Sequence, residues 1–88
     1  MDIAKEVRKI IEPILSENNY ILSEVEYVVE NNISYLRVYI DKEGFITIDD
    51  CVNVSNLINP ILDEKDLIEE NYMLDVCSKE KGDVKDGQ

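Results

Sequence analysis

Between Leu36 and Cys51 the chain reads Leu-Arg-Val-Tyr-Ile-Asp-Lys-Glu-Gly-Phe-Ile-Thr-Ile-Asp-Asp-Cys, and this stretch leaves few folds open. Leu36, Val38 and Ile40 repeat at period two while Arg37 and Tyr39 take the other face, the signature of a strand buried on one side. Asp41-Lys42-Glu43-Gly44 then supplies turn chemistry, Gly44 being free to adopt positive φ. Thr47 is placed to accept from the Asp50 amide, and Asp50 to reach back toward Thr47, a capping box with Asp in the usual Glu position. Ile46 and Cys51 occupy the positions of a hydrophobic staple around that cap. A helix is therefore predicted to start at Ile48.

The remaining periodicities build outward from this segment. Ile3, Val7, Ile10, Ile11, Ile14 and Leu15 form the stripe of an amphipathic helix, with Asp2 as its N-cap, a bend at Pro13 and a stop at Asn19. Tyr20 to Glu30 reads as a strand with Val25, Tyr27 and Val29 on one face and Glu24, Glu26 and Glu30 on the other. Asn31-Asn32, both tolerant of positive φ, closes a two-residue hairpin. That turn sets Tyr27 opposite Leu36, Val25 opposite Val38 and Glu26 opposite Arg37, the last as a cross-strand ion pair.

The second helix is predicted to bury Ile48, Cys51, Val52, Ser55, Ile58 and Leu62, widened by Val54, Leu57 and Ile61, and to bend or end at Pro60. Asp63 to Asn71 forms an acidic connector in which Leu67 and Ile68 anchor to the core. Tyr72, Leu74 and Val76 alternate as a third strand. The expected fold is α+β in the order α-β-β-α-β, a three-stranded sheet with both helices packed on one face, a layout similar to that of KH modules. The expected domain spans residues 1–78, with a disordered polar tail over residues 79–88.

The chain has 88 residues, enough for one domain and one modest core, and no apolar run of transmembrane length. Its start lacks the basic and apolar regions of a secretory signal, so a cytoplasmic location is expected, and the sequons at Asn32 and Asn53 carry no meaning there. The net charge is -11, all of it within residues 1–78, which hold 6 basic and 17 acidic side chains. Nucleic-acid affinity rests largely on Lys and Arg displacing counterions, so this field opposes autonomous binding to phosphate backbones and points either to a basic protein partner or to an acidic surface that simply maintains solubility. There is no His, the commonest general base and metal ligand. Cys51 reads as a small core residue, and Cys77, at a strand end, as partly exposed with no neighbouring base. Neither Asp41-Lys42-Glu43-Gly44 nor Asp63-Glu64-Lys65-Asp66 has the ligand alternation of a calcium loop. No catalytic residue, cofactor or metal site is expected.

Leu36 to Asp41, Gly44, Thr47, Asp49, Asp50, Cys51, Ser55, Leu62 and Asp63 together resemble the N-terminal domain of the ribosome maturation factor RimP family. The resemblance covers residues 3–76. It implies a non-catalytic, cytoplasmic assembly factor for the small (30S) ribosomal subunit, one that binds a basic ribosomal protein near the decoding region. It also implies a C-terminal SH3-like barrel following this domain. The family's Pro-Gly element after the third strand is missing here, where Tyr72, Leu74, Asp75, Val76, Cys77 and Ser78 lead into an unrelated polar tail. The chain thus reads as one domain of the family pattern, or as a truncated product with impaired function.

Asp41, Glu43, Asp49 and Asp50 are the acidic turn and helix-start residues expected to face a protein partner, with capping as the structural role of Asp50. Two alternatives come from other classes. Tyr35, Arg37 and Tyr39 on the open sheet face offer a stacking platform for direct RNA contact, and Cys77 offers a thiol. No membrane contact is expected, and the chain is expected to be a monomer.

Overall fold

A computed structural model describes residues 2–79. The elements are α1 (Ile3–Glu17), β1 (Ile21–Glu30), β2 (Ile33–Asp41), α2 (Ile48–Lys65) and β3 (Tyr72–Ser78), in the expected α-β-β-α-β order. The sheet order is β1-β2-β3, with β1 antiparallel and β3 parallel to β2. The expected disordered tail lies outside the described residues except for Lys79, whose amide donates to the Ile40 carbonyl at 2.8 Å.

Local chemistry accounts for the element ends. Asp2 caps α1 by accepting from the Lys5 amide at 3.2 Å. At the other end Asn19 takes φ 69°, its amide donating to Ser16 and that of Tyr20 to Leu15, the paired bonds of a Schellman motif. Asn31 and Asn32 have φ 51° and 65°, as a tight mirror-image turn requires. The hairpin register follows, with Tyr27 opposite Leu36, Val25 opposite Val38 and Glu26 opposite Arg37.

Leu36, Val38 and Ile40 of β2 are completely buried against Val7, Ile11 and Leu15 of α1 and Val54 and Ile58 of α2. The central strand therefore carries the core, and both helices cover one face of the sheet. Ile68 is buried and Leu67 packs against the same cluster, so the connector is anchored as expected.

Three expectations are corrected. Pro60 does not end α2, which runs on to Lys65; Pro60 and Asn56 are exposed, so water can satisfy the carbonyl that loses its amide partner. Helix α1, as expected from its apolar stripe, continues through the exposed Pro13. The buried row of α2 is Asp50, Val54, Ile58 and Leu62, whereas Ile48 and Val52 are 56% and 51% exposed. Turning the capping carboxylate of Asp50 inward rotates the helix and carries those two residues outward. Finally, Cys77 is not partly exposed but buried, at 1%.

The ladder also breaks once. Between Leu22 and Glu24 the register shifts, leaving Ser23 as the extra residue of a bulge. Arg8 of α1 donates to the carbonyls of Ser23 and Leu22, at 3.3 Å each, and pairs with Glu12 one turn along. The bulge thus ties the edge strand to the first helix.

Candidate functional site

The corner where β2 ends and α2 begins gathers most of the residues singled out in the sequence. The capping box is fully formed, with Thr47 Oγ1 accepting from the Asp50 amide at 3.1 Å and Asp50 Oδ2 accepting from the Thr47 amide at 2.9 Å. Asp50 does more than cap. Its Oδ1 accepts from the Tyr20 hydroxyl at 2.8 Å and from Lys42 Nζ at 3.1 Å, so it joins the end of α1, the turn after β2 and the start of α2. Burial opposes ionisation of this carboxyl, but bonds from the Thr47 amide, Lys42, Tyr20 and the Thr47 hydroxyl outweigh it and lower its pKa to about 2.

The four acidic residues therefore divide. Asp50, only 6% exposed, spends its charge inside the corner. Asp41 is half-buried and accepts from the Lys42 amide at 2.8 Å. Glu43 and Asp49 stand exposed. Lys42 lies against Asp50, 3.0 Å from its second oxygen, and no other Lys or Arg occurs between Glu43 and Glu64. Along this segment, then, no further cation offsets Glu43 and Asp49; Lys79, at the end of β3, comes alongside the end of β2.

Tyr35, Arg37 and Tyr39 share the helix-free face of the sheet, as the alternation requires. Arg37 does not pair with Glu26, its opposite in register. Its guanidinium lies 3.3 Å from Glu30 and 3.5 Å from Asp75, and 5.0 Å from the centre of the Tyr35 ring. Glu26 instead accepts from the Tyr39 hydroxyl at 3.0 Å, and burial together with that bond raises the Tyr39 pKa to about 12. Asp75 is the residue directly opposite Arg37 in the parallel ladder, Glu26 is the diagonal neighbour of Tyr39, and the length of the Arg37 side chain carries its guanidinium along β1 to Glu30. The arrangement has stacking surface, but its one cation is enclosed by carboxylates.

Burial pushes the Cys77 thiol up to about 12, with Asp75 adding to the effect, and burial raises Cys51 as well. Both thiols are free and neutral at physiological pH. Among the described residues, every buried side-chain nitrogen or oxygen has a partner, and no three of the acidic or cysteine side chains converge in a way that could hold a metal ion. No helix is long and apolar enough to cross a membrane among them.

Two features were not anticipated from the sequence. One is the Tyr20, Asp50 and Lys42 cluster, whose members are separated by chain connectivity that only the fold closes. The other is a shallow groove of about 460 Å³ beside β3, onto which Asp63, Asp66, Glu69 and Glu70 open. The run of acids in that connector is visible in the sequence, but its placement along a sheet edge is not.

Comparison with known families gives a match to the model described as the RimP N-terminal domain, over residues 10–79. The match takes in the last part of α1 and every later element, including the whole of the acidic corner.

Proposed function

Because this chain belongs to the RimP family of ribosome maturation factors, through the N-terminal domain, we propose that it serves small-subunit assembly by holding a basic ribosomal protein on its acidic corner. The family acts on the small ribosomal subunit. The reading adds the mode of action: non-catalytic protein binding in the cytoplasm, with Asp41, Glu43 and Asp49 facing the partner and Asp50 fixing the corner's shape. The observation that carries it is the exposed Glu43 and Asp49 on a segment whose single cation, Lys42, is consumed by Asp50. Such a surface steers a positively charged partner and disfavours a phosphate backbone.

Charge reversal of Asp41, Glu43 and Asp49 together tests this. Co-sedimentation with immature small-subunit particles at moderate salt is expected to fall sharply for the triple variant, and unchanged association would refute the assignment. Direct RNA binding through Tyr35, Arg37 and Tyr39 is the second reading, favoured by their common open face. The carboxylates of Glu30 and Asp75 around Arg37 weigh against it, so a gel shift with single-stranded or ribosomal RNA is expected to show none near physiological salt.

A further inference from the structure

Among the described residues seven large apolar side chains are exposed, and three of them, Phe45, Ile48 and Val52, belong to the same acidic corner. Phe45 follows Gly44, which holds φ +92°, and is 87% exposed, so almost the entire ring stands in water. Ile48 and Val52 are one helical turn apart and therefore adjacent on the outer side of α2. Neither helps the core, which takes its α2 contribution from Val54, Ile58 and Leu62. Glu43 flanks Phe45 in the chain, and Asp49 lies between Ile48 and Val52.

We infer that Phe45, Ile48 and Val52 form the apolar centre of a docking surface whose occupant is a Lys- or Arg-rich segment of a partner protein carrying a large apolar side chain. The inference rests on the reading above and divides the labour within it: the apolar residues hold, and Asp41, Glu43 and Asp49 attract. Charge complementarity selects this occupant. A second copy of the chain would bring another net charge of -11 and another Glu43 and Asp49 against the first. A basic segment neutralises that rim while its apolar residue covers the ring of Phe45. Interfaces of this type place an aromatic anchor at the centre and charges at the periphery, where they govern the association rate more than the lifetime.

The test uses two probes on the full chain, its Phe45→Ala variant and its Ile48→Ser/Val52→Ser double variant. The first probe is the set of purified basic proteins of the small subunit, titrated at low and at high salt. The second is a pair of Lys/Arg-rich peptides identical except for one central Phe or Ala. The chain is expected to prefer the Phe peptide at least tenfold, and Phe45→Ala to abolish that preference. Against the bound ribosomal protein, both variants are expected to lose at least tenfold in affinity at either salt, mainly through faster dissociation. Reversing Asp41, Glu43 and Asp49 is expected instead to slow association and flatten the salt dependence. Circular dichroism should show unchanged folding for Phe45→Ala, since the ring touches solvent.

Equal binding of the two peptides by the unaltered chain overturns the inference, as does ribosomal-protein affinity that ignores both apolar variants. A concentration-dependent dimer that Phe45→Ala dissolves also overturns it, by giving the patch to a second copy. If no small-subunit protein binds, the functional reading fails, and the peptide pair decides the apolar patch by itself.

Discussion

Replacing Asp50 by Asn keeps the size of the side chain and its acceptor for the Thr47 amide, but removes the charge that Lys42 and Tyr20 surround. Lowering a carboxyl from 3.8 to about 2 corresponds to about 2 kcal/mol of stability at neutral pH. The carboxylate lies just beneath the surface, and solvent screening of its pairing with Lys42 reduces the expected loss to about 1 to 2 kcal/mol. In urea, with a slope of about 1 kcal/mol/M for a domain this small, the midpoint at pH 7 should fall by roughly 1 to 2 M. The sign of the pH dependence is fixed. A carboxyl whose folded pKa lies below its unfolded one stabilises fully above the unfolded value and loses that contribution as pH falls through the folded value. The gap between parent and Asp50→Asn should therefore be widest above pH 5 and shrink to about a third near pH 2.5. A gap that stays constant from pH 7 to pH 2.5 would refute the electrostatic account and leave only a geometric capping effect.

Other outcomes follow from the same structure. Asn32→Ala removes the short polar side chain whose local hydrogen bonding makes φ 65° tolerable and should cost about 1 kcal/mol in chemical denaturation, whereas Asn32→Gly, with no β-carbon at that φ, should be neutral or slightly stabilising. Ile58→Ala, at a fully buried position, should cost about 2 to 5 kcal/mol, while Ile48→Ala should change stability by less than about 0.5 kcal/mol. A thiol reagent at pH 8 should label Cys51 well before Cys77, with both reacting rapidly in guanidinium. Because folding raises the Cys77 pKa from 9 toward 12, stability should also decline as pH rises above 9.

The sequence was most readable where local chemistry decides the outcome. Thr47 and Asp50 fixed the start of α2, Asn31-Asn32 fixed the hairpin register, and the alternation of Leu36, Val38 and Ile40 identified the buried face of β2. It was least readable where two local rules conflict or a distant partner decides. Proline propensity argued against continuing past Pro60, yet Ile58 and Leu62 pack on either side of it and the freed carbonyl reaches water. The bulge at Ser23 did leave a trace: Leu22 and Val25 are both apolar but three apart, a slip in the period-two pattern that marks one extra residue. The pairing of Arg37 with Glu30 and Asp75 rather than Glu26 left none, because Asp75 comes opposite Arg37 only through the parallel return of β3 and Glu30 is reached by the length of the side chain, not by the hairpin register. At the corner, the acids were legible as a group, but only the fold separates Asp50, consumed internally, from Glu43 and Asp49, which face outward.

The parallel pairing of β3 with β2 has a kinetic consequence. An antiparallel hairpin such as β1-β2 can close on itself within microseconds, whereas β3 must wait for α2 and its connector to cross back over the sheet. The last ladder to assemble should then be the first to open, and the amides of β3 should exchange with solvent sooner than those of the hairpin. Stability should then be graded along the chain, highest where neighbours in sequence meet and lowest at the strand that must return from a distance.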